Sequence, residues 1–214
     1  MTALKLTVIF IHLHLAFLSE DMTYSCAIFS EVDGDLREGS DHKLLTRSPH
    51  SGSVSTASNT PTLPTAPSEE TLEEAQQRKL AHVVARARIL PGHRVLEIGS
   101  GWGSMALYIV RHIPEAQIDT ITLSDNQFAH VRAEVARLGF EDRIRVHLLD
   151  YREMPREWES SFDRVVSLEM VEAVGLENID DYWSAIDRVL KKDAACGVIQ
   201  SSTMPEASGS SLDP

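Results

Sequence analysis

The sequence predicts an α/β fold, a mostly parallel sheet with helices on both faces. Three observations carry the prediction. Apolar runs near residues 94, 117, 145, 162 and 194 alternate with segments of helical periodicity, which is the pattern of βαβ units joined by right-handed crossovers. The run Val95-Leu96-Glu97-Ile98 passes into Gly99-Ser100-Gly101-Trp102-Gly103, a strand that turns tightly into a helix. Unusual residue clusters also recur just past the strand ends, around Gly99, Ser124, Asp150, Glu172 and Gln200, where open α/β sheets hold their ligands.

At 214 residues the chain has room for one domain with appendages. A net charge of −12 without any Lys/Arg cluster argues against a nucleic-acid surface and against attraction to anionic membrane. Cys26 and Cys196 lie far apart with no C-x-x-C spacing, which points to a reducing compartment rather than a disulfide scaffold. The histidines are scattered without metal-ligand spacing, so no metal is expected.

In chain order, residues 1–30 begin with an apolar run, Leu4 to Leu18. It is short of the ~20 apolar residues of a membrane span and lacks a small-x-small cleavage site before Ser19. It reads as a buried helix or strand, a membrane-associating segment, or an alternative coding start. Residues 31–68 are rich in Ser, Thr and Pro with no apolar period, and read as a disordered insertion. Residues 69–206 read as the folded domain and 207–214 as a polar tail. Ser68 is expected to cap a helix carrying Leu72, Ala75, Leu80, Val83, Val84 and Ala87, stopped by Pro91-Gly92. A second helix is expected over 105–112, closed by Pro114, and a strand over 117–123. Ser124 to Gln127 has the form of a capping box; its helix carries Phe128, Val131, Val135 and Leu138 on one face and ends at Gly139. Strands follow over 145–149 and 162–168. Asn178 is expected to cap a helix that turns Ile179, Trp183, Ile186 and Leu190 inward, with Lys191-Lys192 in its last turn and a final strand over 194–201.

The alternating Gly99, Gly101 and Gly103 offer positive φ and close approach of a ligand. The G-x-G-x-G pattern is neither the dinucleotide fingerprint nor a P-loop, and reads either as a nucleotide-binding turn or as a plain strand-to-helix turn. Glu97 favours the former. A carboxylate in an apolar strand needs a partner, and S-adenosylmethionine brings an ammonium and a sulfonium, with an adenosine to lie across the strand ends. The alternative partner is Arg94.

The blocks Met22-Thr23-Tyr24-Ser25-Cys26, Leu72-Glu73-Glu74-Ala75-Gln76, Val95 to Gly103, Ile121-Thr122-Leu123-Ser124, Asp150-Tyr151-Arg152 and Val166 to Gly175, taken in order, resemble the cyclopropane-fatty-acyl-phospholipid synthase and mycolic acid cyclopropane synthase family. The resemblance covers roughly 18–30 and 69–206. It implies a Rossmann-like class I methyltransferase that uses S-adenosylmethionine on the double bond of an unsaturated phospholipid or fatty acyl chain. By this resemblance Tyr24 and Ser25 close over the cofactor, Glu97, Gly99 and Gly101 hold its methionine part, and Ser100 and Gly103 count among the cofactor-binding residues. Thr122, Leu123, Ser124 and Gln127 line the ribose, where many such enzymes carry an acid, and Asp150 and Tyr151 flank the adenine. A bound bicarbonate is implied as the base, held by Cys26 and Glu172, with Gln200 where bacterial members often have a His.

The family pattern extends further at both ends than this sequence does, so the expectation is a chain truncated at both ends, without the C-terminal strands, that binds cofactor weakly and methylates poorly. A cytoplasmic location with peripheral membrane contact fits a lipid substrate, and the sequence leaves the oligomeric state open. Two other readings stand beside this one: a catalytically silent remnant or interaction module, and a lipid C-methyltransferase without ring closure.

Overall fold

A computed structural model of the protein describes residues 22–30 and 70–203. The apolar run 4–18, most of the segment 31–68 and the tail 207–214 lie outside them.

The elements in order are α1 (Leu72–Ala87), β1 (Arg94–Ile98), α2 (Ser104–His112), β2 (Gln117–Thr122), α3 (Asp125–Leu138), β3 (Ile144–Leu148), β4 (Arg164–Leu168), α4 (Ile179–Val189) and β5 (Cys196–Gln200), with short 3-10 turns on either side of β4. The five strands are all parallel, in the order β3-β2-β1-β4-β5. That order reverses direction at β1, so the ends of β1 and β4 form the switch point where a crevice opens.

The strands are buried on both faces. Val95, Ile118, Ile144 and Val166 point to one side, where Leu80, Val83 and Ala87 of α1, Met105, Ile109 and Val110 of α2, and Val131 and Val135 of α3 cover them. Leu96, Ile98, Ile121 and Val165 point to the other, against Tyr182, Ala185, Ile186 and Val189 of α4 and Tyr151, Trp158 and Phe162. The second face also holds Asp119, fully buried, which accepts from Arg94 (3.0 Å), Arg145 (3.0 Å) and His147 (2.9 Å). Burial alone would raise its pKa; the His147 and Arg145 hydrogen bonds and the charges of Arg94 and Arg145 instead hold it well below the usual carboxylate range.

Several local expectations are corrected. The cap of α1 is Thr71, not Ser68: its side chain accepts from the Glu74 N–H while Glu74 accepts from the Thr71 N–H, a complete capping box. At α3 only half a box forms. Ser124 accepts from the Gln127 N–H (3.3 Å), but the Gln127 side chain is taken by the Thr122 hydroxyl (2.7 Å). Asn178 makes no capping bond; its Nδ2 donates back to the Val174 carbonyl. Trp183 is 45% exposed, and Tyr182 takes the inward position, its hydroxyl donating to Ser167 Oγ (2.8 Å). Lys191 and Lys192 lie beyond the end of α4, whose last turn carries Arg188. Phe128 and Leu138 are only half-buried, and Leu72 is exposed.

Candidate functional site

At the switch point the chain leaves β1 through three glycines, all at positive φ. The Gly99 and Ser100 amides both donate to the Ile121 carbonyl (3.0 Å), which pins the turn to β2. The glycines do different work. A Cβ on Gly101 would stand 3.1 Å from Cε1 of Tyr24, so this position admits the tyrosine ring. A Cβ on Gly103 would stand 3.1 Å from Cγ1 of Val131 on α3, so Gly103 serves packing between helices and does not face the crevice.

Two adjoining cavities meet under Tyr24. The smaller, about 30 Å³, is lined by Tyr24, Ser25, Glu97, Gly99, Ser100 and Gly101. Glu97 is buried there and accepts a hydrogen bond from the Thr120 hydroxyl (2.5 Å), its register partner on β2. Burial pushes its pKa up to about 8, only partly offset by that bond. Arg94, the alternative partner, is engaged by Asp119 on the opposite face. The second cavity, about 260 Å³, has an apolar floor that includes Ile98, Ile121, Tyr151 and Met170, and a polar rim of Thr122, Ser124 and Gln127; Leu123, 63% exposed, stands at its mouth. Asp150 does not line it: its carboxylate turns to Arg152 (2.6 Å) and to the Arg152 amide. A much larger space, about 1210 Å³, runs along the outer edge of β5 beside α1 and is an open groove.

The segment from Met22 to Ser30 lies over the crevice and is held from two sides. From α1, the buried Gln76 donates to the carbonyls of Ser25 (2.7 Å) and Thr23 (3.3 Å), the buried Lys79 donates to Ser25 Oγ, and the Ala75 carbonyl accepts from Ile28 N–H (3.3 Å). Its end is tied where Ser30 N–H donates to Glu70 (2.7 Å) and Arg78 to Ile28 O (3.2 Å), with Arg78 and Glu70 paired.

From the sheet, Glu169 accepts from both Cys26 N–H and Gln200 Nε2, each at 2.8 Å. Gln200 Nε2 also reaches the Cys26 carbonyl (3.4 Å), and Cys26 Sγ lies 3.6 Å from Ser202 Oγ. Glu172 accepts from Ser202 N–H (2.6 Å) and Ser201 Oγ (3.1 Å), and the Ser202 amide leads in lowering its pKa. Cys26, Glu172 and Gln200 therefore do converge, 176 residues apart in sequence at the extremes of the Cys26–Ser202 contact. What joins them is Glu169, with φ +51°, together with Ser201 and Ser202. Sequence reasoning passed over these residues, and over Gln76, Lys79 and Thr120. Lone carboxylates, amides and hydroxyls carry no period, and only the α1 block around Gln76 hinted at more than packing.

Two implied groups can be tested against this geometry. For S-adenosylmethionine the donor set fits: a buried carboxyl with no cationic partner among the described residues, a turn with no Cβ at Gly101, and an apolar slot with a hydroxyl and amide rim. For bicarbonate it does not. The Cys26 and Ser202 amides, Gln200 Nε2 and the Ser201 hydroxyl already donate to Glu169 or Glu172, and a third negative charge ~4 Å from either carboxylate would meet about 4 kcal/mol of repulsion at an effective dielectric of ~20. Among the described residues no cluster of three or more His, Cys, Asp or Glu could hold a metal ion, and no helix is long and apolar enough to cross a membrane.

Comparison with known proteins gives the chain's relatives. A family model described as mycolic acid cyclopropane synthetase matches residues 64–211. The tuberculostearic acid methyltransferase of Mycobacterium tuberculosis is 34% identical over 90% of this chain and 37% of its own length. The cyclopropane-fatty-acyl-phospholipid synthase of Escherichia coli K12 is 36% identical over 58% of this chain and 30% of its own. The chain thus spans about a third of the length of these curated relatives. Among solved structures, a mycolic acid cyclopropane synthase in complex with SAH and CTAB superposes with a TM-score of 0.63 at 26% identity, covering 88% of this chain and 51% of that one.

Proposed function

Since the chain belongs to the mycolic acid cyclopropane synthetase family, we propose that it is an S-adenosylmethionine-dependent methyltransferase acting on the double bond of an unsaturated lipid acyl chain. The observation that carries the reading is Glu97, a buried carboxyl that lines the cavity at the glycine turn and forms no ion pair among the described residues. S-adenosylmethionine would supply an electrophilic methyl group. Glu97 and the backbone of Gly99 to Gly101 would hold the ammonium and carboxylate of its methionine part, and Thr122 and Gln127 the ribose hydroxyls. Ile98, Ile121, Tyr151 and Met170 would sandwich the adenine. Tyr24, half-exposed above Gly101, would shut water out of the crevice.

An alkene is a weak nucleophile, so the residues' main contribution is alignment. Transfer of that methyl group to the alkene π pair, with the leaving thioether keeping the old bonding pair, would leave a carbocation on the acyl chain. Tyr24 and the Glu169–Glu172 carboxylates supply the aromatic face and negative charge that such a cation needs.

A second reading, methylation without ring closure, is favoured by the tuberculostearic acid methyltransferase, whose match covers 90% of this chain. Calorimetry with S-adenosylmethionine and S-adenosylhomocysteine tests the cofactor, and absence of binding at millimolar ligand overturns the proposal. Incubation with oleoyl lipid vesicles tests the reaction, with proton NMR of the product as readout. Ring protons far upfield mark a cyclopropane, and an exomethylene pair or a new vinylic methyl, distinct from the CH=CH protons of the oleoyl substrate, marks a methylated alkene; the two products have equal mass.

A further inference from the structure

The alkylated acyl cation has to lose a proton, and the bicarbonate implied for that task finds its donors already taken. We infer that Glu169 is the proton acceptor of this chain, a built-in carboxylate seated where a bound anion would otherwise sit. The inference rests on the methyl-transfer reading above.

Four features of the structure support it. Glu169 gathers the donors: Cys26 N–H and Gln200 Nε2 both point at one of its oxygens. Its two chain neighbours line the two cavities, Leu168 the Glu97 side and Met170 the larger slot. It is also electrostatically in touch with the site. Burial raises the pKa of the Tyr24 hydroxyl, a hydrogen bond with Gln127 lowers it, and the charges of Glu97 and Glu169 raise it again, so the phenol lies among all three groups. Finally, Glu169 occupies a left-handed conformation, φ +51°, that glycine adopts freely and other residues rarely do. The backbone thus carries strain at the carboxylate that gathers Cys26 and Gln200.

Glu172 is the competing acceptor. Both its donors, the Ser202 amide and the Ser201 hydroxyl, come from the residues that follow β5, so it holds the strand end, whereas Glu169 faces the segment that carries Tyr24 through Cys26 N–H. In the step itself a C–H bond of the methylated cation breaks. Its electron pair closes the ring or forms a new double bond, the proton passes to the Glu169 carboxylate, and the resulting carboxylic acid returns the proton to solvent. No external base enters the balance.

The test compares the full chain with Glu169→Gln and Glu169→Gly. Glycine relieves the left-handed strain and opens the seat, so Glu169→Gly is expected to fold. With ¹³C-bicarbonate as probe, the wild type should leave the NMR line unbroadened while Glu169→Gly broadens it; broadening by the wild type overturns the inference. In methyl-transfer assays, removal of carbon dioxide should leave the wild-type rate within about twofold. Glu169→Gln should lose about 100-fold or more in rate with cofactor affinity kept within roughly threefold, and bicarbonate or formate should restore Glu169→Gly. A wild type stimulated tenfold or more by bicarbonate, or a Glu169→Gln variant keeping most of its rate, overturns it as well. A wild type that binds no S-adenosylmethionine would sink the methyltransferase reading instead, and the ¹³C comparison would still decide who occupies the seat.

Discussion

Glu97 sits at the carboxyl end of β1, buried, with Thr120 as its hydrogen-bond donor and a pKa pushed up to about 8 from 4.5. Two pH dependences follow, of opposite sign. In the ligand-free protein the folded state keeps a proton that the unfolded chain gives up, so the residue's contribution to stability is full below 4.5 and declines as pH rises toward about 8. A cationic ligand reverses the preference, because the ammonium needs the carboxylate and expels the proton. Affinity for S-adenosylmethionine is therefore expected to rise with pH by up to ~10-fold per unit and to level off above about 8. Calorimetry in buffers of different ionisation enthalpy would register the released proton; Glu97→Gln should bind more weakly and show no slope. Glu97 was legible in the sequence because a lone acid stands out in an apolar strand. Glu169 was not: it lies beside Glu172 in a run already full of acids and apolar residues, and its partners Cys26 and Gln200 are 143 and 31 residues away. Gly103 was legible as a glycine but misread in purpose, since the side chain it must avoid, Val131, belongs to another helix.

Among the elements, α1 does more than cover the sheet. Its Gln76 and Lys79 are buried polar side chains on the face that also carries Ala75, Leu80 and Val83, and Gln76 spans two carbonyls of the segment above the crevice. Gln76→Leu preserves the apolar packing but leaves those carbonyls without their donor, a loss of about 1–3 kcal/mol. Cofactor affinity is expected to fall about tenfold while circular dichroism stays unchanged; equal affinity would show that the segment holds without α1. Periodicity placed all five strands and the four helices, with ends shifted by up to about three residues, as at the α1 cap and the end of α4. It failed on phase in α4, where adjacent Tyr182 and Trp183 are both large and aromatic, and the hydroxyl of Ser167 on β4 selects the tyrosine. It failed on a cap where another group competed, as Thr122 does for Gln127, and at Asn178, whose Nδ2 donates back to Val174.

For the whole molecule, the parallel order with its reversal at β1 follows from right-handed crossovers between short strands, and it places β1, β4 and β5 side by side so that their ends share one crevice. What no strand pattern foretells is that Met22 to Ser30, far upstream, lies across that crevice and is fastened at Glu70. Its fastening has a topological consequence. Ser30 and Glu70 close a loop over residues 31–69, and loop closure draws on chain entropy at about 0.6 kcal/mol per doubling of length. Replacing 31–69 by a linker of about five residues is three halvings, so the shortened protein is expected to gain about 2 kcal/mol and melt some 4–8 °C higher. Unaltered cofactor affinity should accompany the gain, and a lower melting temperature would mean that the excised residues contribute packing. The two ends form a clasp, and the shorter the cord between its halves, the more firmly the clasp stays shut.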